Sequence, residues 1–371
     1  MLSRFLAGLR DRRARSVDRL RRRARPKPHA LRLLTTAALL GLAMPAAGGV
    51  SAQGAAQTWD VQVGGTDTGG VAFGGPPGGP TPNFITQAFF PNPMVIRVGD
   101  TVQWRFADIH TVTFNSNQPP LPIFVPGPNP GELALGPGSF PQGPTGPPAA
   151  YDGTARASTG IPLTPEQMQA AYRLTFTRPG VYGYVCEIHP GMRGEVEVRE
   201  AGAPLPETPE QARQRGQATL GALLAKVQED AQALRPTHAG TVHTAVVGVS
   251  NGFGASALRF VHGDKTVNRG DTVVWTMADT FEIHTVSFTS GAAPPDVIEP
   301  RPQAAGPPLL VFPARVIAPV GGEAYTGQGY ANSGLLTLGA AYALRFDAPP
   351  GAYEYLCLLH PYMRGRITVT G

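Results

Sequence analysis

Short runs of alternating apolar and polar residues dominate the chain. Val95, Val98, Val102, Trp104 and Phe106 fall in β-rich runs cut by the turn pair Gly99-Asp100, and Leu174, Phe176, Val181, Tyr182 and Tyr184 repeat the pattern. Several such runs with turns between them predict an all-β chain of the sandwich kind. One segment departs from the two-residue period. Thr208-Pro209-Glu210-Gln211 offers an N-cap, a proline at the first helical position and a capping-box glutamine, and apolar residues then recur at Leu220, Leu223, Leu224 and Val227 before Pro236. This predicts an amphipathic helix over residues 209–234 with its apolar stripe packed on a neighbouring domain. A second Thr-Pro-Glu-Gln, Thr164 to Gln167, predicts a short helical turn.

The runs occur twice. Val98-Gly99-Asp100-Thr101-Val102-Gln103-Trp104 matches Arg269-Gly270-Asp271-Thr272-Val273-Val274-Trp275, and His110-Thr111-Val112-Thr113-Phe114 matches His284-Thr285-Val286-Ser287-Phe288. Pro179-Gly180-Val181-Tyr182-Gly183-Tyr184-Val185-Cys186 matches Pro350-Gly351-Ala352-Tyr353-Glu354-Tyr355-Leu356-Cys357. A repeat this long is a domain duplication rather than a solenoid. The expected organisation is a leader at 1–52, a first β-domain at 53–200, a helical linker at 201–238 and a second β-domain at 239–371. Both copies carry Pro-rich loops after their first histidine, at about 115–150 and 289–324, long enough to cover a site or dock a partner.

Composition agrees with short strands and long loops: 46 Gly, 39 Pro and 15% charged residues in 371. The net charge of +5 is misleading, because residues 1–52 hold 12 Lys/Arg against 2 Asp, while the remainder holds 19 Lys/Arg against 24 Asp/Glu. The basic character belongs to the leader, which removes the main argument for nucleic-acid binding. An Arg-rich stretch from Arg10 to Arg32, an apolar run from Leu33 to Met44 and the small residues Val50-Ser51-Ala52 have the form of an export signal cleaved after Ala52. The protein is thus expected to be exported, periplasmic or extracellular, with an uncleaved membrane anchor as the competing reading.

The chemistry sits at two places. Cys-Glu-Ile-His-Pro-Gly-Met, Cys186 to Met192, returns as Cys-Leu-Leu-His-Pro-Tyr-Met, Cys357 to Met363, and these hold both cysteines of the chain. A disulfide between them is conceivable in an oxidising compartment, but identical contexts 171 residues apart argue that each serves its own site. A thiolate, an imidazole and a thioether on one tight loop, with a second histidine from a distant strand, form the ligand set of blue copper. His110 lies 76 residues before Cys186, and His284 lies 73 before Cys357. Single buried Cys or Met residues are usually core filling, but four matching residues that recur in register are not well explained that way. His238, His243 and His262 have no counterparts in the first copy and read as surface or structural residues, and Trp104 and Trp275 read as core aromatics.

The Tyr-x-Tyr-x-Cys-x-x-His-Pro-x-Met pattern, with the upstream histidine, resembles the plastocyanin/azurin family of cupredoxins, in tandem and with an amicyanin-like loop length. The resemblance covers roughly 58–200 and 240–371 and implies two Greek-key cupredoxin β-sandwich domains joined by the helical linker. It implies two type 1 copper ions per chain, one held by His110, Cys186, His189 and Met192, the other by His284, Cys357, His360 and Met363. It further implies that the exposed edge of His189 or His360 is the electron port, where redox protein partners dock against Pro190, Gly191, Pro361 and Tyr362. The pattern departs from the family beside the first histidine, where Ile109 and Ile283 stand in place of an asparagine that steadies the cysteine loop.

Cupredoxin-based oxidases and nitrite reductases need a His-x-His pair and a histidine beside the cysteine. Neither occurs here, and no Ser-His-Asp set, phosphate loop or paired-carboxylate signal suggests another enzyme class. The expected function is one-electron transfer, without a small-molecule substrate. Copper storage, delivery or resistance is the alternative, although only 7 Met and no Met- or His-rich tract speak for it. A structural module with relic sites would be expected to have lost at least one ligand set.

Overall fold

Alternation along each strand decides which side chains enter the interior. In the strand Thr58–Thr66, Trp59, Val61 and Val63 point inward and are fully buried. Val196 and Val198 do the same in Arg193–Arg199, and Ile367 and Val369 in Arg364–Thr370. A computed structural model describes residues 55–69, 81–144, 147–235 and 237–371. The expected leader at 1–52 and its cleavage site lie outside the described residues.

The structure is mostly β. Each copy contributes one five-stranded sheet of its own. In the first copy this joins the strands Met94–Arg97, Arg193–Arg199, Gly180–Val185, Thr113–Phe114 and Ala157–Ser158, in that order. In the second copy the order is Lys265–Asn268, Arg364–Thr370, Gly351–Leu356, Ser287–Phe288 and Ala331–Asn332. The facing sheet is common to both copies. Phe84–Phe90 of the first pairs antiparallel with Ala255–Val261 of the second, setting Thr86 against Ala255, Ile85 against Ser256 and Phe84 against Ala257. An 11-stranded sheet therefore runs through both copies, and the described residues form one compact unit.

The Pro-rich loops also pair across the two copies. Phe124–Pro126 and Leu133–Leu135 from the first join Leu309–Phe312 and Glu299–Arg301 from the second in a four-stranded sheet, with Val311 opposite Ala134. Arg301 reinforces the junction with an ion pair to Glu132 at 3.1 Å.

The helix expected over 209–234 spans Pro209–Ala233. The Thr208 hydroxyl accepts from the Gln211 amide, and the Gln211 side chain accepts from the Thr208 amide at 2.8 Å, a cap of the kind that contributes about 1 kcal/mol. Its apolar stripe does pack: Val227 and Ala231, with Leu223 and Leu224, lie against Phe84, Val249, Ala255 and Ala257, across the seam of the shared sheet. Complete burial of Val227 contributes roughly 1.5–3 kcal/mol. The short Thr164-capped turn is present as Pro165–Gln169. Each copy has its own aromatic core. Trp104 meets Tyr184 edge-on at 5.5 Å, and Trp275 meets Tyr355 at 5.3 Å. No helix among the described residues is long and apolar enough to cross a membrane.

Candidate metal centre

Cys186 follows the strand Gly180–Val185, and Met192 precedes Arg193–Arg199; the two strands pair with Val185 opposite Arg193. The intervening loop is closed by its own backbone. The Cys186 amide donates to the Met192 carbonyl at 3.0 Å, and the Met192 amide donates to the His189 carbonyl at 3.1 Å. The second loop is built alike, with the corresponding bonds from Cys357 to Met363 at 3.0 Å and from Met363 to His360 at 2.8 Å.

These loops bring the expected donors together with the distant histidines. In the first site, Cys186 Sγ lies 3.8 Å from His110 Nδ1 and 3.5 Å from His189 Nδ1, and the two Nδ1 atoms are 2.8 Å apart. In the second, Cys357 Sγ lies 3.8 Å from His284 Nδ1 and 3.7 Å from His360 Nδ1, with the nitrogens 3.2 Å apart. All six residues are buried. Donors that share one metal at bond lengths of about 2.0–2.1 Å to nitrogen and 2.3 Å to sulfur would sit roughly 3.1–3.8 Å from one another at angles of about 100–120°. The second site matches that spacing, and the first does so except for its closer nitrogen pair. Met192 and Met363 are buried in the same core clusters as their cysteines.

The electrostatics prepare each thiol as a thiolate. Burial alone would raise the Cys186 pKa, but the imidazoles of His189 and His110 bring it well below the usual thiol range, and His284 and His360 do the same to Cys357. A deprotonated sulfur is the form that binds metal.

Two supports escaped the sequence reading. The first is the threonine after each distant histidine. The Thr111 amide donates to Cys186 Sγ at 3.3 Å, and its hydroxyl accepts from the Glu187 amide at 2.7 Å. Thr285 repeats both contacts, with Cys357 Sγ at 3.3 Å and the Leu358 amide at 2.8 Å. The loop-steadying bonds that Ile109 and Ile283 cannot make thus come from the next residue but one, and the repeated His-Thr pair was their signal. The second support is a glycine under each ring. At Gly64 (φ +69°) a Cβ would lie 2.3 Å from His110 Nε2, and at Gly248 (φ +60°) 2.5 Å from His284 Nε2. Both glycines sit where the strand register slips, so a bulge makes room for the imidazole.

The expected exposure of His189 and His360 is corrected. They are 8% and 7% exposed, because the two copies turn these rings toward each other. His189 Nε2 lies 3.2 Å from Glu282 Oε1, and His360 Nε2 lies 3.7 Å from Glu282 Oε2. Gln87, from the first copy, donates to Glu282 Oε1 at 2.6 Å. Burial would raise the Glu282 pKa, but its histidine neighbours and Gln87 hold it far below the carboxylate range. A cavity of about 190 Å³ adjoins this bridge, lined by Asp108, Ile188, Phe281, Leu359 and, from the paired Pro-rich loops, Phe124 and Phe312. The loops therefore both pair with each other and cover the site.

The two sites differ around their distant histidines. Asp279, fully buried, places Oδ2 3.7 Å from His284 Nε2. Against the cost of burial, Asp279 and the Cys357 thiolate push His284 up to about 10. Among the described residues neither His110 Nε2 nor His284 Nε2 has a hydrogen-bond partner, but only His284 has a carboxylate at ion-pair distance. Asp108 accepts from its own neighbour's amide, Ile109, at 2.8 Å, and burial pushes its carboxyl upward.

The remaining histidines lie elsewhere. His243 Nε2 bonds Asp271 at 3.0 Å, as Trp59 bonds Asp100 in the first copy, and His262 bonds the Leu234 carbonyl at 3.0 Å. His238 is exposed and its ring stacks near that of His243.

No family model matches the chain. Amicyanin from Paracoccus versutus is 25% identical over 116 residues, which is 31% of this chain and 61% of that protein. The chain thus spans about three-fifths of the length of that curated relative. Among solved structures, a Cu(I) amicyanin with a methionine-to-glutamine substitution is 19% identical, with 36% of this chain and 85% of that one covered at a TM-score of 0.22. An oxidised amicyanin with a proline-to-alanine substitution is 19% identical, with 38% and 89% covered at 0.22. The chain is therefore weakly similar to amicyanin over part of its length.

Proposed function

We propose that this chain is an exported blue-copper protein with two mononuclear type 1 sites, which carries single electrons between redox partners and is not an enzyme. In this reading His110, Cys186, His189 and Met192 hold one copper, and His284, Cys357, His360 and Met363 hold the other. Residues 53–200 and 239–371 are two Greek-key cupredoxin domains, and 201–238 links them. The observation that carries the reading is the convergence, twice, of two buried imidazole nitrogens and one buried thiolate within 3.8 Å.

Copper bound there would change between Cu(I) and Cu(II) by one electron, on a ligand set suited to both states. The protein's part is to hold the donors still and dry. The strand pair clamps the Cys–Met loop, Thr111 and Thr285 fix each sulfur, and Gly64 and Gly248 let each distant ring seat. Redox partners would dock beside the buried histidines, where Pro190, Gly191 and Pro361 are exposed, through a small interface of the kind that weak redox encounters use.

The test is copper stoichiometry with thiolate-to-copper absorbance. Cys186→Ser and Cys357→Ser should each lose one copper and one blue signal while the fold stays intact by circular dichroism. Retention of both signals in either variant would refute the ligand assignment.

A further inference from the structure

We propose that Glu282 couples the two metal centres electronically, so that an electron exchanges between them inside the molecule. The proposal rests on the copper reading above and adds a route to it.

The two oxygens of this one carboxylate face two different sites. Oε1 lies 3.2 Å from His189 Nε2, and Oε2 lies 3.7 Å from His360 Nε2. In each ring Nδ1 faces the thiolate, so Nε2 is the outward end. The path from one thiolate pocket to the other then runs through an imidazole, a carboxylate and a second imidazole. Electronic coupling decays more slowly along bonded and hydrogen-bonded atoms than across an unfilled gap.

The bridge is held from both copies. Gln87 donates to Oε1 at 2.6 Å, the Glu282 amide donates to Asp279 Oδ1 at 3.2 Å, and Ser256 donates to the same Asp279 oxygen at 2.9 Å. Burying a carboxylate is costly unless charge-assisted hydrogen bonds offset it. His189 Nε2 at 3.2 Å and Gln87 at 2.6 Å supply such bonds, and His360 adds its nearby ring at 3.7 Å. Ile85, Ile188, Ile283 and Leu359 line the adjoining cavity, so little solvent needs to reorganise when charge moves. The electron leaving a Cu(I) centre oxidises it to Cu(II) and reduces the opposite Cu(II) centre to Cu(I). No bond forms or breaks, and each Nε2 proton stays on its ring.

Glu282→Gln and Glu282→Leu separate this role from plain interface packing. One-electron reduction of the fully oxidised, copper-loaded protein by pulse radiolysis, followed at the two thiolate bands, reads the internal exchange rate. Glu282→Leu should slow it about tenfold or more with both bands and the copper count retained, and Glu282→Gln, which keeps the shape and one acceptor oxygen, should slow it less. In metal-free protein, nitrogen-15 NMR should find the His189 Nε2–H hydrogen-bonded in the parent, and the Nε2 signals of both His189 and His360 shifted in Glu282→Leu. Should the leucine variant not fold, Glu282→Gln alone carries the comparison. An unchanged exchange rate with both bands present would overturn the bridge and leave the copper reading standing. Absence of both bands from the parent protein would overturn the copper reading and the bridge together.

Discussion

The side-chain amide of Gln87 donates to the Glu282 carboxylate at 2.6 Å across 195 residues of sequence. One partner lies on the strand that fuses the two copies into a single sheet, and the other bridges the facing histidines. The two candidate sites therefore face each other around one buried carboxylate.

The glycine beneath His110 is expected to be irreplaceable. Gly64→Ala puts a methyl 2.3 Å from the imidazole at φ +69°. The strain should cost about 1–3 kcal/mol and displace His110. Denaturant unfolding of metal-free protein should show the loss, and copper titration should show weakened binding at one site only. Equal binding at both sites would contradict the account.

The two sites should differ in reduction potential. Asp279 lies fully buried with Oδ2 3.7 Å from His284 Nε2, whereas among the described residues no carboxylate comes within ion-pair distance of His110. A carboxylate placed beside a ligand favours the oxidised metal, so the second site should have the lower potential. Asp279→Asn should raise the potential of that site and leave the other in place, as read by spectroelectrochemistry with Cys186→Ser and Cys357→Ser to assign the bands. A lower potential at the first site would refute the argument.

Asp271 supplies an acid-dependent contribution to stability. Burial would raise its pKa, but the Asn268 amide at 2.8 Å and His243 at 3.0 Å hold it below its ordinary value of 3.8. Because the folded value is depressed, the stabilisation is present above pH 3.8 and is lost as pH falls through the folded value. Asp271→Asn should cost ~1–2 kcal/mol at pH 7, and the difference should shrink in unfolding curves as pH falls below 3.8. A difference that is constant with pH would show that the charge plays no part.

What the sequence discloses is mostly local. The strand runs, both capping boxes and the Cys–His–Met loops are legible because their signals are periodicity or spacing within a few residues. Thr111 and Thr285 were visible as a repeated pair, but their hydrogen bonds were not. The pairing of Thr86 with Ala255 and of Val311 with Ala134, and the reach of Glu282 to both histidines, are contacts between distant segments that leave no periodic trace. For the same reason His189 and His360, which read as exposed in a single copy, are buried where two copies face each other.

A redox titration of copper-loaded protein, followed at the visible thiolate-to-copper band, separates electron transfer from copper storage. Electron transfer at both sites predicts two coppers per chain that bleach and recover reversibly, at two separate potentials. Absence of the band, with copper held only as Cu(I) and surrendered to chelators, would contradict electron transfer and favour copper storage or delivery.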